Sequence, residues 1–437
     1  MPKKLRYGVI GLGNMGSHHA RQIAESNSRT YSLGAVCDIV EDKAVKFGED
    51  LDVPHYVDAK EMMDSGNVDA VIIATPHYWH APMAIYAARL GLHVLTEKPM
   101  SSTVGHARAM IDECKKNKVS LGVILHHRSR SVLIKMRQMI DQGVIGEVFR
   151  TELIASNWFR TQGYYDSGAW RGTWDGEGGG VLINQAPHSL DFFQWMAGGL
   201  PEKVSAFIGT RDHNIEVEDT ANIMLDYGDG KVGYIYATTA EQPGKEQLTV
   251  IGTKGTLILE GGTLTHLKLK VSIDDMIYGK GQADVIKSAG GAKNKVTRKE
   301  VKLPKDKGGR HIQIIDAFAK HVVKGKEMYI DGEEGIKELE LSNAAYMSGF
   351  NDGKVVELPV DSTKMERLIT KLEKDRATGK GGGIRSEANK WFRQLMKAGK
   401  KKTKKSKKKS GKKSAGKKKS TKKKTRKKSK KSTKPKK

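Results

Sequence analysis

Cysteine is scarce in this chain: Cys37 and Cys114 are the only two among 437 residues. Two thiols build no disulfide framework, and they fit a reducing compartment. Long apolar runs are missing too. None approaches the ~20 residues that a membrane-spanning helix needs. The N-terminus lacks a signal-peptide pattern, because Lys3 and Lys4 lead straight into Leu5–Ile10, a stretch the fold needs. The body is therefore expected in the cytoplasm. Acidic and aromatic residues are both absent from Lys400 to Lys437, where 24 of 38 residues are Lys or Arg. That tail carries the net charge of +27; the remaining 53 basic residues face 50 acidic ones, the balance of an ordinary soluble enzyme. A lysine run interleaved with Ser and Thr cannot bury a core and is expected to be disordered. It suits nonspecific binding of nucleic acid or another polyanion, such as an anionic membrane surface. Without aromatics for base stacking it is not expected to read sequence. The bland alternative is a solubilising appendage.

Along the first 125 residues, strands and helices alternate. Leu5–Ile10 reads as a strand, Asn14–Ser26 as a helix and Ser32–Cys37 as a second strand. Val68–Thr75 (VDAVIIAT) is nearly continuously apolar, as expected of a strand buried on both faces of a parallel sheet. Pro82–Leu90, Leu92–Thr96, Val104–Lys116 and Val119–Leu125 continue the alternation. The fold class is α/β: an N-terminal Rossmann domain over residues 1–126. From Gly146 to Lys270 the pattern changes to alternating strands joined by turns, such as Gly228-Asp229-Gly230 between Thr220–Tyr227 and Lys231–Thr239. One helix, Pro187–Ala197, interrupts them. This predicts an α+β domain over 127–361, built on a large, mostly antiparallel open sheet. Arg310–Val323 and Gly335–Phe350 read as helices, Val355–Val360 as a last strand, and Ser288–Glu300 as a polar loop. Residues 362–399 read as C-terminal helices and a linker at Gly379–Gly383; Trp391, Phe392, Leu395 and Met396 fall at helical spacing.

The loop Gly11-Leu12-Gly13-Asn14-Met15-Gly16 follows a predicted strand and opens a predicted helix. In that context it is a dinucleotide fingerprint: Gly11 for the turn, Gly13 for close approach to a pyrophosphate, Gly16 for helix–strand packing. The helix N-terminus then offers free N–H groups to phosphate. Asp38, at the end of the second strand, suits ribose hydroxyls and repels a 2′-phosphate, so NAD is favoured over NADP. Lys43 lies near in sequence and tempers that preference. Thr75, Pro76 and His77 follow a strand end and fall on the cofactor side. His80 is either a cofactor contact or a solvated residue near a helix start.

Glu97-Lys98-Pro99 stands at the end of another strand. A nicotinamide supplies hydride chemistry, while the protein supplies position and a proton path. A lysine whose pKa falls toward neutrality can take the proton of an alcohol, and Lys98, kept extended before Pro99, is placed for it. His188 belongs to a glycine-led segment, Gly178-Gly179-Gly180-Val181-Leu182-Ile183-Asn184-Gln185-Ala186-Pro187-His188-Ser189-Leu190-Asp191. If the helix extends back past Pro187, then Asn184, His188 and Asp191 share a face; if it starts at Pro187, Asn184 lies near its N-cap. Three of the six tryptophans fall between Asn157 and Trp174. Trp158, Arg160, Tyr165 and Trp174 are candidates for a sugar-binding wall, with Arg128 as a further hydroxyl partner; a packed loop with aromatic anchors is the competing reading. His126 and His127 lack further ligands at a recognisable spacing, so no metal is expected.

In the order and spacing of these motifs the chain resembles the glucose–fructose oxidoreductase, inositol dehydrogenase and rhizopine-catabolism (Gfo/Idh/MocA) family over Lys4 to Asp361. Val217-Glu218-Asp219-Thr220, leading into a strand, adds to the likeness. The resemblance implies NAD(P)-dependent oxidoreduction of sugars, cyclitols and their derivatives, and an open sheet that pairs subunits into dimers or tetramers. It also implies catalytic roles for Lys98 and His188. Many members carry Asp where this chain has Asn184, which leaves the proton path to Lys98 and His188. The rival reading is a noncatalytic nucleotide- or sugar-binding regulator whose tail binds nucleic acid.

Overall fold

The computed structural model describes residues 4–278, 294–378 and 382–399. The lysine-rich tail lies outside the described residues. The chain divides after Ser386, and the first unit carries both sheets. The first sheet holds β1 (Leu5–Ile10), β2 (Tyr31–Cys37), β3 (His55–Tyr56), β4 (Ala70–Ile73), β5 (His93–Glu97) and β6 (Leu121–Ile124). Its order is β3-β2-β1-β4-β5-β6 and every pair is parallel. This is the dinucleotide-binding order, with its crevice where the order reverses between β1 and β4. All four residues of β4 are buried, as a strand covered by helices on both faces must be.

The helix His311–Lys324 packs on this first sheet although it follows eight of the second sheet's nine strands in sequence. Ile314, Ile315 and Phe318 join Tyr7, Val9 and Ile72 in one core, and Tyr7 Oη donates to the Ile315 carbonyl at 2.9 Å.

The second sheet has nine strands: β7 (Val148–Ala155), β8 (Lys203–Gly209), β9 (Thr220–Asp226), β10 (Val232–Thr238), β11 (Glu246–Gly252), β12 (Gly255–Glu260), β13 (Thr263–Leu269), β14 (Val296–Glu300) and β15 (Val356–Glu357). Its order is β14-β13-β12-β11-β7-β10-β9-β8-β15, and only the β7–β10 pair is parallel. Side chains alternate across it. Ala221, Ile223 and Leu225 are buried beneath the helices, whereas Met224 and Phe207 are 55% and 70% exposed on the open face. β14 departs from the sequence expectation. Val296–Glu300 is exposed and polar, without an apolar period to announce it, yet it pairs antiparallel with β13. An edge strand is specified by its neighbour's backbone, so its own side chains carry little signal.

Pro187–Ala197 is a helix with Pro in its first turn, as expected. Val181–Gln185 before it forms a wide π-helical turn, and the N-cap of the following helix is Ala186. Asn184 is therefore not that helix's cap. Gly180 explains the turn's approach to its neighbour: a Cβ there would lie 1.8 Å from the Glu218 carbonyl oxygen.

Candidate active site

The residues that follow β1, β2, β4, β5 and β6 gather beyond the carboxyl ends of the first sheet. At β1 the glycine loop is built as its spacing requires. Gly11 sits at φ +88°, and a Cβ on Gly16 would lie 1.7 Å from the Gly11 carbonyl oxygen. Around Gly13 a Cβ would meet nothing within 4 Å. The helix Asn14–Ala24 begins there with no side-chain cap and no acid in its first turn. That open, uncapped helix start fits a pyrophosphate. Asn14 is exposed and Met15 half-buried beside it. Asp38 holds the loop from the next strand: Oδ2 accepts from Leu12 N–H at 2.7 Å and Oδ1 from Val40 N–H at 2.9 Å. Each oxygen keeps a lone pair for a ribose hydroxyl.

Thr75 and Pro76 lead into a short turn at His77–Trp79. His77 is buried, its Nδ1 lies 2.9 Å from the Glu177 carbonyl, and burial pushes its pKa down to about 3. His80 is fully buried. Its two ring nitrogens face the carbonyls of Pro99 and Thr75, each at 2.9 Å. Its burial rules out the solvated reading, and its ring ties the β4 loop to the β5 loop.

Glu97 Oε1 lies 2.6 Å from His19 Nε2, and Oε2 accepts from Lys98 N–H at 3.1 Å. Burial pushes the Glu97 carboxyl up, but the His19 hydrogen bond and charge outweigh it and hold it at about 2. Lys98 Nζ donates to the Asn184 carbonyl at 2.8 Å. Burial pushes the lysine's pKa down, opposed by Glu97, Glu338 and Glu177. A lowered amine pKa is what a base for an alcohol needs at neutral pH.

His188 lies in the first turn of its helix, 9% exposed. Its ring stacks on His127 at 4.4 Å and meets His126 edge-on at 4.4 Å. His126 in turn lies 3.7 Å from His311, which lies 5.4 Å from His19. Rings thus run from Glu97 to His188. Burial pushes all the central ones down: His126 to about 3, His127 to about 2, His311 to about 4, and His188 well below its ordinary value. They are neutral at pH 7. His19 and His311 carry no local motif, because the fold alone brings them here. Among the described residues no group of three or more His, Cys, Asp or Glu is placed to hold a metal ion.

The substrate wall differs from expectation. Arg128 and Asp191 are buried and face each other, with Nε–Oδ2 at 3.0 Å and Nη2–Oδ1 at 2.8 Å, and Glu334 takes a third contact at 3.1 Å. Their charges are spent on one another rather than on a substrate. Trp174 is fully buried against Tyr346 and Phe350, its indole N–H donating to the Glu216 carbonyl at 3.0 Å. Tyr165 is buried and bonds Thr239 at 2.9 Å. These are packing anchors. The partly exposed side chains are Trp158, Arg160, Tyr164, Trp170 and Arg171. Arg160 lies over Trp158 and Tyr164, and Arg171 over Tyr164 and Trp170, at 4.4–5.5 Å. Neither guanidinium forms a salt bridge among the described residues, although the charge of Arg171 reaches Glu177, and Arg160 Nε is buried without any hydrogen-bond partner.

The glycine segment is held from behind. Glu218 accepts from the N–H groups of Gly180 and Leu182 and from Tyr346 Oη; burial pushes its carboxyl up to about 7. Asp175 accepts from the N–H groups of Gly383, Ile384 and Arg385, and Glu216 from Thr378 and Trp174. The segment after Asp361 thus straps the loop that leads into Glu177 and Asn184.

A parallel dinucleotide fold whose strand ends carry a depressed lysine among neutral histidines, backed by a mixed sheet, defines a nicotinamide-dependent oxidoreductase. Residues 5–125 match the oxidoreductase family with an NAD-binding Rossmann fold, and residues 133–258 match the GFO/IDH/MocA C-terminal domain. The rhizopine catabolism protein MocA of Rhizobium meliloti is 28% identical over 256 residues, covering 58% of this chain and 77% of that protein. Myo-inositol 2-dehydrogenase of Thermotoga maritima is 26% identical over 274 residues, covering 59% and 75%. Among solved structures, the WlbA dehydrogenase of Bordetella pertussis, in complex with NADH and UDP-GlcNAcA, aligns with TM-score 0.68 and 28% identity over 82% of this chain and all of that one. The chain belongs to the Gfo/Idh/MocA family of oxidoreductases, and its first domain is an NAD-binding Rossmann fold.

Proposed function

We propose that the protein oxidises a CH–OH group of a sugar, cyclitol or sugar derivative, with Lys98 taking the hydroxyl proton and His188 orienting the hydroxyl. The observation that carries this reading is Lys98 itself, pinned at the end of β5 by the Asn184 carbonyl and depressed by burial beside His188. Bound at Gly11–Gly16 and Asp38, NAD⁺ supplies the hydride acceptor. The neutral form of Lys98, which burial favours, takes the proton as the C–H bond breaks. Neutral His188 donates or accepts one hydrogen bond without adding charge. The ring array from His19 to His127 lines that side, and its central members add no charge.

Arg160, held on aromatic faces and without an acidic partner among the described residues, favours a substrate that carries an anion. The WlbA complex with UDP-GlcNAcA supports this choice. The exposed Phe207, Met224 and Val232 on the open sheet suit pairing with a second copy. The lysine-rich tail suits a polyanion. A noncatalytic sensor would have no use for a depressed lysine at the nicotinamide end of the crevice, which favours the enzyme.

The test is NAD⁺ reduction, read by NADH absorbance, across sugars, inositols, uronic acids and nucleotide sugars. Turnover that Lys98→Ala abolishes is expected with at least one anionic sugar. If no polyol gives a signal that this variant removes, the proposal fails.

A further inference from the structure

We infer that Glu177 is a positioning residue for this reaction: it holds the side chain of Asn184, whose carbonyl holds Lys98, and it supplies Lys98 with the carboxylate charge that residue 184 itself lacks. The inference rests on the proposed role of Lys98 as proton acceptor.

Glu177 ends the loop before the glycine run and is 1% exposed. Its Oε2 accepts from Gly172 N–H at 2.6 Å, and its Oε1 accepts from Asn184 Nδ2. Asn184 returns its main-chain carbonyl to Lys98 Nζ at 2.8 Å. Acid and amine therefore meet at one residue, the acid on its side-chain amide and the amine on its main-chain carbonyl. The Glu177 carbonyl also faces His77 Nδ1 at 2.9 Å and accepts from Ser102 Oγ at 3.4 Å. One residue thus ties the β4 loop, the β5 loop and the π turn together.

The groups around it are Lys98 after β5, Arg171 of its own loop and His77 after β4, with Tyr165, Glu218 and Tyr346 from the elements behind. Burial pushes the Glu177 carboxyl up to about 7, against the pull of Gly172 N–H, Arg171, Asn184 and Lys98. An ammonium on Lys98 favours the carboxylate form, and the carboxylate favours the ammonium. Oxidation breaks the substrate C–H bond, sends hydride to NAD⁺ and moves the hydroxyl proton to Lys98. No proton passes to Glu177; its charge stabilises the ammonium that forms.

The pH profile of kcat/KM for alcohol oxidation tests this. Its rising limb reports loss of the proton from Lys98. In Glu177→Gln, which keeps the shape and removes the charge, that limb should move to lower pH by about one unit. The exchange Glu177→Gln/Asn184→Asp moves the charge across one hydrogen bond and should return the limb to its parent position. An unmoved limb in Glu177→Gln overturns the inference.

Where Glu177→Gln alone does not fold, the exchange variant decides. A parent-like limb supports the inference. A limb displaced upward overturns it, because a charge has then been added beside Lys98 rather than moved. Lys98→Ala, assayed in parallel with NAD affinity, reports on the underlying reading: turnover retained there defeats that reading, whatever Glu177 does.

Discussion

Lys98 is held by the main chain of Asn184, not by its side chain: Nζ donates to the carbonyl oxygen at 2.8 Å, while the side-chain amide turns to Glu177. Every residue at 184 offers that carbonyl. Lys98→Ala should therefore cost roughly 10²–10⁴ in kcat, whereas Asn184→Ala should cost about tenfold, with NAD affinity unchanged in both. Steady-state kinetics with the best substrate decide; equal losses would show that the side chain, not the carbonyl, holds the lysine.

Two glycines of one loop should respond differently. An Ala at 16 drives its Cβ into the Gly11 carbonyl, whereas an Ala at 13 enters open space. Gly16→Ala should lower Tm without ligand and lose NAD binding. Gly13→Ala should keep the parent Tm without ligand yet lose much of the Tm rise that NAD produces. Thermal scans with and without NAD read both. A ligand-free Tm that falls equally in the two variants would mean that the space around Gly13 is not where the cofactor comes close.

These local features were legible in the sequence because they rest on local rules. Glycine spacing, a buried VIIA run and a Pro at a helix start each act within a few residues. Lys98 and His188 stand out as candidates the same way, at a strand end and in a helix's first turn. His19, His311, Glu177 and Glu338 do not, because each reaches the site through tertiary packing with no periodic signal of its own. Arg128 and Trp174 misled for the complementary reason. Residue type suggests a ligand contact, and only burial shows that Asp191 and Tyr346 already occupy them.

Arg128 and Arg160 separate structure from recognition. Arg128→Ala would leave Asp191, fully buried, without its partner, a loss of about 3–5 kcal/mol. Arg160→Ala removes a half-buried guanidinium with no acidic partner and should leave stability within about 0.5 kcal/mol of the parent. Its effect should fall on KM, and only for anionic substrates. Urea unfolding together with KM values for charged and neutral sugars checks both. A KM that rises equally for neutral sugars would remove Arg160 from anion recognition.

Glu338 gives the protein a pH-dependent weakness. Its side chain is fully buried, neither oxygen has a hydrogen-bond partner, and burial raises its pKa well above 4.5. An acid with a raised folded-state pKa gives stability that is complete below its unfolded pKa and is lost as pH climbs toward the folded one. Glu177 and Glu218, both raised to about 7, add to the same slope between pH 4.5 and 7. Glu338→Gln does not titrate. Its Tm should match the parent's near pH 4.5 and exceed it increasingly toward pH 8. A Tm difference that is flat across that range would mean the carboxyl finds a partner when ionised.

Two truncations should dissect the C-terminal part. Cutting after Gly399 removes only the lysine-rich run. Turnover and Tm should stay at parent values, while salt-sensitive retention on DNA or polyphosphate should disappear. Cutting after Asp361 also removes the main-chain donors that Gly383, Ile384 and Arg385 give to Asp175 and that Thr378 gives to Glu216. Both acids are buried, so losing those donors carries a desolvation cost and frees the loop that leads into Glu177. The second truncation should lower both Tm and kcat, and kcat more than NAD affinity, because the strap bears on the substrate side of the crevice. If it matches the first in Tm and kcat, the strap does not hold the site; if retention survives the first cut, the polyanion surface lies in the body.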